Sequence, residues 1–126
     1  VTVEAEQAEL ARVGLPGPVR VGRYGVNLEA FEHLALRELA RRDVDLMVID
    51  EIGKMESASG RFRRALLEAL EAPVDVLATL GLGRLPFLQA VSSRPDVELV
   101  TVTERNREPL AVELCARLQG RQARRT

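Results

Sequence analysis

One cysteine, one lysine, one histidine, one tyrosine and no tryptophan occur in 126 residues. A single thiol, Cys115, rules out an internal disulfide and any multi-cysteine metal site. Its place between Leu114 and Leu118 predicts core packing rather than redox work. The three phenylalanines, Phe31, Phe62 and Phe87, read as core side chains, not as a base-stacking platform. His33, with no second imidazole to join it, reads as a surface or partly buried residue. No apolar run approaches the ~20 residues of a membrane span, and no signal peptide is visible. The expected address is therefore cytoplasmic, with no membrane partner. A net charge of −1 gives no case for capture of nucleic acid or of an anionic surface. The basic tail "GRQARRT" has no aromatic partner to change that, and it is expected to fray.

What is present is a globular composition, 46% hydrophobic and 29% charged. Residues 1–126 have the size of one domain, able to bury about two-thirds of the unfolded surface. "VTVEAEQAELARVG" reads as two short antiparallel strands joined near Glu6, with a helix as the competing reading because Ala and Glu are rich there, and "GLPGP" is a turn. "VRVG" is a short strand. Asn27 then caps a helix whose apolar face is Phe31, Leu34, Ala35 and Leu39. "VDLMVID" is continuously apolar, the pattern of a parallel strand covered on both faces. Ser59 or Gly60 opens a helix with Phe62, Leu66, Leu67 and Leu70 inward. Strand "VDVLATL", a short helix around Leu88 and Val91, and strand "DVELVTV" follow. A last helix from about Arg105 to Gln119 carries Leu110, Leu114 and Leu118. The alternation predicts an α/β layered domain with a mainly parallel sheet and helices on both faces.

The best strand runs straight into two acids in "LMVIDEIGKME", and Lys54, the lone lysine, follows three residues after Glu51. Ligands in an open α/β sheet sit beyond the carboxyl ends of the strands. An ionised carboxylate there is costly unless it is paired, hydrogen-bonded or near a cation. A phosphate-bound Mg²⁺ suits Asp50, since it takes oxygen ligands and keeps several waters. Glu51 beside it would orient and deprotonate an attacking water. An apolar strand ending in Asp-Glu is in this respect the Walker B half of an ATPase-like site. The bland reading is that strands end in acids because they emerge into solvent. Arg61, Arg63 and Arg64 read mainly as a solvated helix face, with an arginine finger as the sharper alternative.

The nine residues "VIDEIGKME" resemble the signature of the cancer-related nucleoside-triphosphatase family, small P-loop enzymes. "VGRYGVN" with "FEHLAL", then "VLATL", then "DVELVTVTERNREPL" resemble further family blocks in the same order, over nearly the whole chain. The resemblance implies a P-loop fold and Mg²⁺-dependent hydrolysis of nucleoside triphosphates (ATP, GTP or others) to diphosphate and phosphate. By the same likeness Asp50 carries the metal role and Glu51 the water-activating role. Tyr24, Asn27, Lys54, Asn106 and Arg107 fall in the blocks expected to line or border the nucleotide. One element departs from the family: none of the nine glycines opens a G-x-x-x-x-G-K-[ST] phosphate loop. The chain is expected to lack the family's N-terminal strand, loop and helix, and an upstream coding sequence is expected to supply them. Without that strand an exposed sheet edge would invite self-association. The rival expectation is a catalytically incomplete nucleotide- or protein-binding module of the same fold.

Overall fold

The computed structural model describes the backbone of residues 2–3, 6–7, 11–13, 20–21, 24–81 and 83–125, with side chains of 27–81 and 83–124. The chain divides into two compact units, Val1–Ser93 and Arg94–Thr126.

In the first unit, β1 (Thr2–Val3) and β2 (Glu6–Gln7) pair antiparallel, but Glu6, expected at the joint, is itself paired with Val3. β5 (Tyr24–Val26) pairs antiparallel with both β3 (Ala11–Val13) and β4 (Arg20–Val21). The "GLPGP" turn lies outside the described residues. α1 (Leu28–Leu39) starts at Asn27, whose side-chain oxygen accepts the Ala30 N–H at 3.1 Å. Its buried face is Phe31, Leu34, Ala35 and Leu39, the four residues its spacing selects. β6 (Leu46–Ile52), α2 (Gly60–Glu71) and β7 (Asp75–Leu80) then form a βαβ unit in which β6 and β7 are parallel. α3 (Pro86–Ser92) buries Leu88 and Val91.

One hydrophobic cluster holds these elements together. It joins Phe31, Ala35 and Leu39 of α1, Met47 and Ile52 of β6, Phe62, Leu66 and Ala69 of α2, and Leu88 and Val91 of α3. The Phe31 and Phe62 rings meet at 5.2 Å between centroids, tilted by 47°. Each fully buried side chain of this kind contributes roughly 1.5–3 kcal/mol. α2 departs from expectation in one respect: Ala69 is fully buried and Leu67 only half-buried. A small residue at the inward position lets α2 sit close to its neighbours.

β6 also departs from expectation. Met47 is buried and Ile49 packs on the core, but Val48 between them is 64% exposed. Side chains alternate along a strand, and among the described residues the cluster lies on the Met47 side alone.

Ser59 shows how tightly the βαβ crossover is tied. Its side-chain oxygen accepts the Phe62 N–H at 3.0 Å, capping α2, and its hydroxyl donates to Glu32 Oε1 of α1 at 2.7 Å. The residue is wholly buried. Ser59→Ala would strand a buried N–H and remove a charge-assisted bond, so a loss of about 1–3 kcal/mol is expected. Urea unfolding followed by circular dichroism checks this; a loss below a few tenths would mean that the cap carries no weight.

In the second unit, α4 (Arg107–Arg125) is longer than its leucine spacing indicates. The tail expected to fray continues the helix, because Gln, Ala and Arg are all good helix formers. Leu110 is buried and Leu114 and Leu118 are half-buried, as expected, but Cys115 is exposed. One residue along a helix is a turn of about 100°, which takes the thiol off the leucine stripe. The segment Asp96–Val102, expected as a strand, is not one. Leu99 and Val102 are exposed, and among the described residues no strand offers their backbone a ladder. Arg117 of α4 pairs with Glu98 in that segment. No described helix is long and apolar enough to cross a membrane.

Candidate functional site

The carboxyl end of β6 holds the candidate site, and a bulge shapes it. Ile49 pairs with Ala78 and Ile52 with Leu80, so Asp50 and Glu51 together face the single residue Thr79. An extra residue in one strand breaks the strict alternation of faces. Met47 and Ile49 point to the core, and unbroken alternation would send Glu51 there too. The bulge instead leaves both acids exposed and returns Ile52 to the core at 2% exposure. Neither carboxylate then bears the cost of burial.

The two acids differ in their partners. Asp50 Oδ1 accepts the Thr79 hydroxyl at 2.7 Å, a charge-assisted bond between strands. The Glu51 carboxylate has no hydrogen-bond or ion-pair partner among the described residues. It lies against Gly53 with Glu56 on the other side. A Cβ on Gly53 would come 3.0 Å from Glu51 Oε1 and 3.2 Å from Glu56 Oε2. A side chain there would require the two carboxylate ends to give way by a few tenths of an ångström. Gly81, just past β7, faces the same spot: a Cβ there would come 3.3 Å from the Gly53 Cα, and the Gly81 N–H donates to the Ile52 carbonyl at 2.9 Å. The strand ends are thus drawn together by two residues without side chains.

Glu56 opens a 3₁₀ turn, Glu56–Ala58, that leads into α2. Burial pushes its carboxyl above the usual glutamate range, the Glu51 charge adds to this, and the backbone N–H groups of Glu56 and Gly53 oppose it. Lys54 is exposed in the turn between Gly53 and Glu56. Of the three arginines after the signature, Arg63 donates to the Ser57 carbonyl at 2.5 Å. Arg61 lies 3.9 Å from Glu32, and Arg64 is exposed.

The remaining sequence-derived candidates are placed as follows. Tyr24 is on β5, and its side chain is outside those described. Asn27 spends its side-chain oxygen on the α1 cap. In the second unit, Asn106 is bound into its own turn. Its side chain accepts the Thr103 N–H at 2.7 Å and donates to the Thr101 carbonyl at 2.8 Å, while the Thr103 hydroxyl oxygen accepts the Asn106 N–H at 3.2 Å. This reciprocal pair resembles a capping box and starts α4. Arg107, the first residue of that helix, is exposed.

Thr79 and Glu56 were not singled out by sequence. The available signals were slight: an isolated hydroxyl in the apolar strand "VLATL", and the acid that closes "VIDEIGKME".

Among the described residues no group of three His, Cys, Asp or Glu side chains gathers to hold a metal. A donor set of one exposed carboxylate with hydroxyl support suits a hard cation that brings waters and phosphate oxygens as its other ligands. It does not suit a closed protein cage such as a structural zinc site.

The chain is similar to several known proteins. A family model described as NTPase matches residues 1–115. The chain is 39% identical over 121 residues to the Nucleoside-triphosphatase THEP1 of Thermotoga sp. (strain RQ2), covering 94% of this chain and 70% of that protein. It is 35% identical over 135 residues to the Cancer-related nucleoside-triphosphatase of Homo sapiens, covering 95% and 71% respectively. The solution structure of a human cancer-related nucleoside triphosphatase superposes with a TM-score of 0.71 at 36% identity, over 88% of this chain and 67% of that one.

Proposed function

Since the chain belongs to the NTPase family, we propose that it carries the water-activating half of a site that hydrolyses nucleoside triphosphates to diphosphate and phosphate. The observation that supports this reading best is the unequal treatment of two exposed acids at the carboxyl end of a parallel strand. One is held by a hydroxyl and the other is unencumbered.

Asp50 would hold Mg²⁺, directly or through water, and the cation when bound supplies positive charge beside the phosphates. Glu51 orients the attacking water and takes its proton. The water oxygen then bonds to the terminal phosphorus as the bond to the bridging oxygen breaks, and the diphosphate leaves with that electron pair. Lys54, in the adjoining turn, offers a positive charge to phosphate. Asn106 and Arg107 are assigned to nucleotide contact on their family motif, as are Tyr24 and Asn27. Asn106 would serve by building the turn that presents Arg107.

Phosphate release from ATP and GTP by the full-length protein tests the reading. Release is expected with Mg²⁺ and is expected to be abolished by a chelator and restored by added Mg²⁺. No release from any nucleoside triphosphate would leave the site as a binding module.

A further inference from the structure

Thr79 stands alone opposite the bulge, and its hydroxyl reaches one of the two acids it faces. We infer that Thr79 is the positioning residue that assigns the two carboxylates their separate tasks: it fixes Asp50 as the cation-holding group and leaves Glu51 free to move with water. The inference rests on the role proposed above for Asp50.

Both acids are exposed and both sit in the same bulge, so neither exposure nor backbone position alone holds one stiller than the other. An exposed aspartate samples its rotamers freely, and a ligand that samples rotamers must lose that freedom when a cation binds. The 2.7 Å bond to Thr79 removes much of it in advance. It engages Oδ1, and Oδ2 has no hydrogen-bond partner among the described residues. The donor comes from the neighbouring parallel strand, whose position is set by the ladder up to Ile49–Ala78 and again at Ile52–Leu80. Rigid elements on both sides therefore define where the carboxylate points. A β-branched residue at this position adds stiffness, since its χ1 is restricted. Glu51 receives no such bond and keeps the freedom that proton transfer to and from water requires.

The test uses the full-length protein loaded with a non-hydrolysable nucleoside triphosphate analogue, titrated with Mg²⁺ by calorimetry. Thr79→Val keeps the shape and removes the donor. It is expected to weaken Mg²⁺ binding by about 10-fold, the lower end for loss of a group that orients a metal ligand. Thr79→Ser is expected to restore it. In an Asp50→Asn background, Thr79→Val should cause no further loss, because the two residues act as one unit. Thermal melting of each variant shows whether the fold is kept. Undiminished Mg²⁺ affinity in Thr79→Val, with clear weakening in Asp50→Asn, overturns the role of Thr79 alone. Additive losses in the double variant, or failure of Thr79→Ser to restore affinity, do the same. Undiminished affinity in Asp50→Asn removes the proposed role of Asp50, and that of Thr79 with it.

Discussion

Glu51→Gln in the full-length protein is expected to lower turnover by about 10²–10⁴-fold, the usual contribution of a general base, while nucleotide affinity stays as it was. The amide has nearly the same shape as the carboxylate but cannot take a proton from water. Glu51 is exposed and has no hydrogen-bond or ion-pair partner among the described residues, so the substitution breaks no bond that supports the fold. Structural damage is thus a poor alternative explanation for a loss of rate. Steady-state phosphate release gives kcat, and binding of a fluorescent nucleotide gives affinity. If kcat falls and affinity holds, Glu51 acts on the reaction and not on the ground-state complex. Unchanged kcat would remove Glu51 from the mechanism and leave the exposed acid as a mere strand end.

The largest effect on stability is expected at Leu66. Its side chain is fully buried within the cluster formed by α1, α2, β6 and α3. Truncation to alanine loses the transfer free energy of the removed carbons and opens a cavity, together about 2–5 kcal/mol. That is a large fraction of the roughly 5–15 kcal/mol by which domains are stable. Leu67→Ala, one residue along the same helix, serves as the control. Leu67 is only half-buried, so its truncation removes less covered surface and is expected to cost clearly less. Chemical unfolding curves of the two variants settle the ordering. Equal losses would mean that Leu67 contributes to the core as much as Leu66 does.

These two leucines also mark how far periodicity carries. The α1 face was legible residue for residue, because four apolar positions at helical spacing leave one way to turn the helix. On α2 the spacing selects Phe62 and Leu66 correctly but prefers Leu67 to Ala69. Hydrophobicity ranks the larger residue higher, whereas close helix packing favours the smaller one. Asp96–Val102 has strand-like composition, but a strand exists only through its partner, and composition does not name partners.

By itself the sequence determined the α/β character, the parallel pairing of the two strands around α2, and the family, through "VIDEIGKME" and the ordered blocks around it. These depend on short-range periodicity and on local runs of residue types, which a linear reading sees. The tertiary structure alone decided how the two acids are presented. Whether Glu51 faces the core or solvent depends on one extra residue in a ladder between strands. Whether Asp50 is held depends on a hydroxyl 29 positions away. Register and cross-strand bonds belong to pairs of segments, and folding creates those pairs.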